Sequence, residues 1–207
     1  MKIREIHPSI LYYGTPVALI CTENEDATFN LAPMSSSWAL GQTVVLGLGV
    51  SGQTFANLQA RLQLTINFPS PEMVDAVEAL APLTGRSPVP AHKQAQFRTE
   101  RRKFEAAGLT QVASAHVRPP RVREAPLAFE AEVASIQRMA GDDDAAIVQA
   151  RVLGVFAHES IVEGVSHIDV GRWHPLLYVY RHYFGRGRYL KPTFRAETPV
   201  PHAGMNN

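Results

Sequence analysis

Apolar and polar positions alternate over short periods along most of this chain, and the elements they predict are mainly strands. Pro16 to Thr22 is apolar and β-branched and predicts a buried strand. Glu23-Asn24-Glu25-Asp26 is a polar turn, and Thr28 to Leu31 predicts the returning strand of a hairpin. Beyond it, Asn30 to Trp38 carries Pro33 and the consecutive Ser35, Ser36 and Ser37. That composition suits an irregular strand end or loop better than a regular ladder. Thr43 to Gly49 predicts the next strand. After the short loop Val50-Ser51-Gly52-Gln53, residues Phe55, Leu58 and Leu62 recur at i, i+3 and i+7 and predict a helix beginning at Thr54. Gln63 to Phe68 is again strand-like.

Ser70 before Pro71 reads as an N-cap with proline at the first helical position, predicting a helix to about Ala81. The stretch 82–102 has prolines, several basic side chains and little periodicity, and reads as a partly mobile surface excursion. Lys103 to Ala107 predicts a short helix stopped by Gly108. Two long strands follow, Leu127 to Met139 and Ala146 to His158, joined by a hairpin turn at Gly141-Asp142-Asp143-Asp144. In the first, Phe129, Ala131, Val133 and Ser135 alternate with Glu130, Glu132 and Ala134, a half-buried pattern. A segment rich in aromatics and arginine covers 173–191, and the last dozen residues are expected to fray. At least six mostly antiparallel strands, two or three short helices, no internal repeat and no regular βαβ alternation predict an antiparallel barrel or sandwich with helical insertions. One domain over 1–207 is expected.

Composition narrows the function classes. The chain has 207 residues, 45% of them apolar and 19% charged, which suits an ordinary globular protein. Lys and Arg total 20 against 19 Asp and Glu. That balance gives no reason to expect nucleic acid or an anionic membrane as partner. The basic and aromatic run from Trp173 to Tyr189 could mimic a single-strand nucleic-acid platform. With balanced charge it fits a lid or a subunit contact better. Cys21 is the one cysteine, so neither an intrachain disulfide nor a thiolate zinc cluster can form. Within its apolar run it reads as a small core residue, with a reactive thiol as the alternative. No histidine pair has the i, i+4 spacing with a carboxylate that marks a metalloprotease, so no metal is expected. The N-terminus lacks a secretory pattern and no window approaches 18 apolar residues, which makes the cytoplasm the default location.

The loop Ser51-Gly52-Gln53 opening a helix at Thr54 could hold an anion. Free N–H groups and the helix dipole point outward there, Thr54 adds a hydroxyl, and Gly52 permits close approach to the main chain. Equally, Thr54 could simply cap the helix, the three serines could be loop solvation, and Trp38 could be core. Asn57, three residues on from Thr54, is not the Glu or Gln of a capping box, which would free its amide for another task.

The order of these pieces resembles the flavin reductase-like, FMN-binding split-barrel family. It runs from a strand and an acidic turn to Asn-Leu-Ala-Pro-Met-Ser at 30–35, then a strand ending in Gly49. Ser-x-x-Thr-x-x-Asn at 51–57 follows, and then a strand ending Asn67-Phe68-Pro69. The likeness continues through Phe104 to Thr110, Val117 to Arg121, Ala125 to Glu130 and the strand ending at His158, covering most of residues 10 to 190. It implies a mainly β fold, an antiparallel FMN-binding split β-barrel with short helical insertions, dimerising with flavin near the subunit interface.

The resemblance also implies the ligands. FMN is the expected cofactor, with FAD as an alternative, and NAD(P)H the expected electron donor. Electrons would leave to free flavin, to a partner monooxygenase or to another acceptor. An electron-transfer or binding module without nicotinamide turnover of its own is the second reading, and a non-flavin split barrel such as a haem binder the third. Positions matching the family's flavin contacts are Asn30, Ala32, Pro33, Ser35, Ser36, Ser37, Ser51, Thr54 and Asn57. The resemblance puts Ser35–Ser37 along the ribityl chain and ring edge, and Ser51, Thr54 and Asn57 at the phosphate. No side chain is expected to act as acid or base.

The pattern departs from the family in two places. Gly52 and Gln53 stand where members often carry Arg or Lys, so the phosphate charge would fall to the helix start or to Arg181, Arg186 or Arg188. Asp142, Asp143 and Asp144 occupy a hairpin where some reductases have a histidine near the nicotinamide. Three carboxylates would repel a pyrophosphate if they faced it. His158 matches a recurrent family position, although a histidine at a strand end is usually structural.

Overall fold

In the computed structural model of the protein, residues 1–191, 193, 195 and 196 are described. The strands run in chain order β1 Tyr13–Pro16, β2 Ala18–Glu23, β3 Phe29–Met34, β4 Ser37–Leu40 and β5 Thr43–Gly49. Helix α1 covers Gln53–Ala60, β6 Gln63–Phe68 and α2 Val74–Leu80, the last preceded by a 3₁₀ turn at Pro71–Met73. Short pieces follow: β7 Leu83–Thr84, β8 Arg98–Thr99, α3 Lys103–Ala106, β9 Gln111–Val112 and β10 Arg121–Val122. The long hairpin is β11 Leu127–Met139 and β12 Asp142–Ala157, and β13 Val162–Glu163, β14 His167–Ile168, β15 Leu177–Val179 and β16 His182–Phe184 close the order.

The main sheet is antiparallel with strand order β3-β2-β6-β11-β12-β5-β4. Its two end strands, β3 and β4, are consecutive in sequence and separated only by Ser35 and Ser36. The sheet therefore curls until its edges nearly meet, and the two serines sit at the gap. This is a split barrel. Pro33 continues β3 in register with Leu19 instead of breaking it. Proline is tolerated there because β3 is an edge strand and needs no outward N–H. The irregular stretch expected from Asn30 to Trp38 thus shrinks to Ser35-Ser36.

Strand β2 shows why its sequence lacks alternation: both of its faces are covered. Ala18 and Ile20 point into the barrel with Leu46, Leu64, Ile66, Ala131 and Val148. Leu19 and Cys21 point outward into a second core formed with Leu31 of β3 and with Val77, Leu80 and Phe104 from the helical layer. Cys21 is fully buried there, and burial pushes its thiol well above the ordinary range, so it packs as a small core residue.

Three expectations change. Helix α1 starts at Gln53 with Gly52 at the N-cap and no side-chain capping bond, so Thr54 lies inside the first turn. Leu62 falls beyond the helix and is 48% exposed, while Phe55 and Leu58 are buried. Glu130 is wholly buried instead of facing solvent. It stands on the outer face of β11, where the loop before β10 folds over it. Its carboxylate accepts the backbone N–H groups of Ala115 at 3.0 Å and His116 at 2.7 Å. Arg121 Nε lies 3.0 Å from Glu130 Oε1, an ion pair in which that N–H has no hydrogen-bond partner, and the guanidinium stacks 3.9 Å over the Phe156 ring.

The excursion over 82–102 is docked rather than free. β7 and β8 pair in parallel, and Leu83 and Thr84 are buried. The C-terminal aromatic segment forms β15 and β16, which join β1 in a separate three-stranded sheet. Among the described residues, no helix is long and apolar enough to cross a membrane, and no cluster of three or more His, Cys, Asp or Glu could hold a metal ion. The frayed tail expected over the last dozen residues lies outside the described residues apart from Ala196.

Candidate functional site

A cleft of about 540 Å3 opens beside the barrel gap, within the usual range of small-molecule sites. One wall is the gap itself, with Pro33, Met34, Ser35 and Ser36. The floor comes from Gly47, Leu48 and Gly49 at the end of β5 and from Gly52, Thr54 and Phe55 at the start of α1. Val77, Glu78 and Ala81 of α2 and Lys93 and Phe97 of the excursion close a second side. Tyr12, Tyr178 and Tyr183 close the third.

The floor is made for close approach to backbone. A Cβ on Gly47 would stand 3.2 Å from Ser36 Cβ, and one on Gly52 would stand 3.3 Å from the Gly49 carbonyl. At α1 the first intrahelical bond is Ala56 N–H to Gly52 O. The N–H groups of Gln53, Thr54 and Phe55 precede it and carry the positive end of the helix dipole.

The nine positions singled out from sequence fall into three groups. Pro33, Ser35, Ser36 and Thr54 line the cleft. Asn30 and Asn57 lie behind it, both buried. Asn30 Nδ2 donates to Thr54 Oγ1 at 3.0 Å, while Asn30 Oδ1 is buried without a hydrogen-bond partner. Asn57 is fully engaged: its amide donates to Thr22 Oγ1 at 3.0 Å and Asn24 Oδ1 at 2.8 Å and accepts from Gln53 Nε2 at 2.8 Å. The amide expected to be available to a phosphate is instead a brace between α1 and the β2–β3 turn. Ala32, Ser37 and Ser51 are not among the lining residues. Ser37 pairs with Leu46 inside the sheet. Ser51 faces the excursion, its carbonyl accepting Arg86 Nε at 3.3 Å and its Oγ 3.5 Å from His92 Nε2.

Several contributors escaped the sequence reading. Among the described residues, Lys93 is the cation that lines the cleft, and Arg181, Arg186 and Arg188 do not. Arg186 donates to the Val170 carbonyl, and Arg181 occupies the exposed β15–β16 turn. The basic character of the excursion was the available signal for Lys93. Asp142 and Asp144 do not line the cleft, although the Asp144 carbonyl accepts the Val50 N–H at 2.9 Å and so anchors the hairpin beside the loop. The Asp143 side chain lies outside the described residues. His158 is structural: its Nε2 lies 2.8 Å from the Arg123 carbonyl, away from the cleft. Trp38 is neither core nor ligand wall, being 59% exposed on β4.

The residues present suit a planar heterocycle with an anionic tail. Apolar and aromatic walls would hold the ring, hydroxyls from Ser35, Ser36 and Thr54 would meet polar atoms, and a helix start with one lysine would meet the charge.

Known proteins resemble this chain in sequence and in fold. The model of the flavin reductase like domain matches residues 10–187. An uncharacterized protein, YdfE, of Bacillus subtilis (strain 168) is 43% identical over 198 residues, covering 95% of this chain and 96% of its own. The flavoredoxin of Desulfovibrio vulgaris (Miyazaki F) superposes with a TM-score of 0.77 at 22% identity, covering 96% of this chain and 100% of its own. A protein described as a flavin reductase with a split barrel domain, from Shewanella frigidimarina, gives 0.69 at 18% identity, covering 87% and 86% of the two chains.

Proposed function

The chain belongs to the flavin reductase-like family, and from that premise we propose that it binds FMN in this cleft and passes reducing equivalents from NAD(P)H to free flavin or another acceptor. The observation that carries the reading is the meeting, in one cleft, of an open helix start, a lysine and an aromatic wall.

Within this reading, Thr54 Oγ1, the first-turn N–H groups of α1 and Lys93 hold the phosphate. Ser35 and Ser36 follow the ribityl chain and ring edge, as expected from sequence. Asn30 and Asn57 act one layer back, Asn30 by fixing the Thr54 hydroxyl and Asn57 by fixing Gln53. The flavin supplies the hydride chemistry when bound; the protein supplies orientation and exclusion of water. Phe55, Met34 and Val77 keep the ring side of the cleft apolar, and no side chain is required as acid or base.

A dimer is part of the same reading. Trp38 and Leu40, 59% and 75% exposed, stand on the edge strand β4 next to the gap that opens into the cleft. Large apolar side chains on an unpaired edge are a surface that a second copy would cover. A nicotinamide donor fits a cytoplasmic setting.

The test is an absorbance titration of the purified protein with FMN, followed by anaerobic addition of NADH or NADPH. Prompt bleaching of a bound flavin band establishes the reductase and identifies the donor. A bound flavin that does not bleach keeps the site and moves the function to electron carriage. No flavin binding overturns the proposal.

A further inference from the structure

Tyr12, Tyr178 and Tyr183 form one continuous aromatic wall of the cleft. Tyr12 meets Tyr178 with ring centres 5.5 Å apart at 73°, and Tyr178 meets Tyr183 at 5.5 Å and 56°. Tyr178 and Tyr183 come from β15 and β16 of the small sheet separate from the barrel, and Tyr12 immediately precedes β1 of the same sheet. That sheet is well anchored: Val17 N–H bonds the Leu176 carbonyl at 2.8 Å, Leu176 N–H bonds the Pro69 carbonyl at 3.0 Å, and Tyr180 N–H bonds the Tyr12 carbonyl at 2.7 Å.

Two of the three phenols are already engaged. Tyr12 Oη and Ser36 Oγ are 2.7 Å apart, and Tyr183 O–H donates to Glu78 Oε1 at 2.6 Å. What the wall offers a ligand is therefore mainly ring surface, with the Tyr178 hydroxyl beside it, and ring surface selects flat aromatic molecules.

Charge refines the choice. Among the described residues, the charged ones lining the cleft are Lys93 and Glu78. Lys93 adjoins His92, whose ring lies 3.5 Å from Ser51 Oγ in the loop before α1, so the backbone carrying Lys93 runs beside the phosphate end, with its ammonium 5.8 Å from the Phe97 ring. Glu78 is on α2 beside Tyr183, at the tyrosine end. Its partner there is a phenol rather than a cation, so its negative charge is held in place without being neutralised. An anion entering along the tyrosines meets a fixed carboxylate, whereas an uncharged ring does not. Repulsion of this kind is a standard route to specificity.

We propose that the tyrosine end of the cleft is the subsite of an uncharged, planar aromatic electron acceptor, with Tyr12, Tyr178 and Tyr183 as its binding wall and Glu78 as the group that turns anionic acceptors away. The proposal rests on the reading of the other end as the flavin site. In turnover NAD(P)H is oxidised to NAD(P)+, and the acceptor takes up the hydride equivalent together with a proton from water.

The experiment compares 2-naphthamide with 2-naphthoate, two rings of nearly equal shape that differ by one charge, by calorimetry on the FMN-loaded protein at low ionic strength. The amide is expected to bind about fivefold more tightly, with the gap shrinking as salt screens Glu78. Glu78→Gln should bring the two probes to within about twofold by strengthening the naphthoate alone, and Tyr178→Ala should weaken both. Equal binding to the wild type, a gap that survives Glu78→Gln, or no binding of either probe overturns the proposal. A protein that takes FMN and is reduced by NAD(P)H, yet shows no gap, loses this proposal and keeps the reductase reading. A protein that takes no FMN loses both the reductase reading and this proposal.

Discussion

Asn30 donates its side-chain amide to Thr54 Oγ1 at 3.0 Å, joining the edge strand of the barrel to the first turn of α1 across 24 residues of chain. The hydroxyl is thus fixed as an acceptor on one side, and its own proton is left to point elsewhere. Thr54 is only 8% exposed and lines the cleft, so a ligand oxygen there would meet an oriented donor.

Thr54 and Asn57 lie one helical turn apart, and their substitutions should separate binding from stability. Thr54→Ala removes a donor at the cleft and is expected to weaken FMN binding about tenfold, or about 1.4 kcal/mol. Asn57→Ala removes hydrogen bonds to Thr22, Asn24 and Gln53, leaving buried groups unpaired. It should cost about 3 kcal/mol of stability while the folded protein binds FMN within about twofold of wild type. Flavin fluorescence titrations and urea unfolding measure both quantities. Loss of affinity in Asn57→Ala without loss of stability would put that amide back at the phosphate.

Lys93 reaches the cleft only because the excursion is docked, and Gly85 shows how closely. A Cβ on Gly85 would stand 2.8 Å from Gln53 Cγ and 2.9 Å from Asn30 Oδ1. Gly85→Ala should push the excursion off α1 and weaken FMN binding by about tenfold. Lys93→Met should weaken FMN by a similar factor but leave riboflavin, which lacks the phosphate, nearly unchanged. Parallel titrations with the two flavins decide the matter: an equal loss for both would show that Lys93 does not serve the phosphate.

Strands written in apolar runs were legible from sequence, as Thr43–Gly49 and Gln63–Phe68 show by matching to the residue. The irregularity expected from Asn30 to Trp38 was legible only as too wide a stretch: Pro33 stays in β3 and Ser37 in β4, leaving Ser35-Ser36 as the break. What was not legible depends on distant chain. Glu130 looks solvent-facing in its strand, and only the loop carrying Ala115 and His116 makes it a buried hub. Asn57 looks free beside Thr54 until the β2–β3 turn supplies Thr22 and Asn24 as partners. Lys93 lies about 40 residues from the loop it approaches, and no local pattern encodes that contact.

Glu130 holds the loop before β10 through two backbone N–H groups and faces Arg121, itself largely buried. Glu130→Ala strips the partners from all of them and should cost about 3 to 5 kcal/mol. Adding Arg121→Met to a Glu130→Leu background should recover part of that loss, because the stranded charge is gone even though the N–H groups remain unpaired. A chemical-denaturation cycle over the single and double variants reads the coupling. Additive losses would mean that the pair contributes nothing as a pair.

Lys103 starts α3 and is 2% exposed. Burial pulls its ammonium from the usual range down to about 8, with Glu100 opposing the shift. An unfolded lysine keeps its proton to about 10.4. Below pH 8 both states are charged and the folded state bears the full cost of desolvation, about 3 kcal/mol. Between about 8 and 10.4 the unfolded chain binds more protons than the folded one, so this group makes stability rise with pH. Lys103→Met removes the ammonium and should stabilise the protein at pH 7 by about 2 kcal/mol, an advantage that fades toward pH 10. Cys21 and Tyr183 act in the opposite direction. Burial raises both, helped at Tyr183 by the Glu78 carboxylate, so the folded state holds their protons longer and stability falls at alkaline pH. Both groups are present in both proteins and cancel in the difference. Urea midpoints of wild type and Lys103→Met at neutral and alkaline pH therefore isolate Lys103, and a difference that stays constant across that range would show that its ammonium is not desolvated in the folded state.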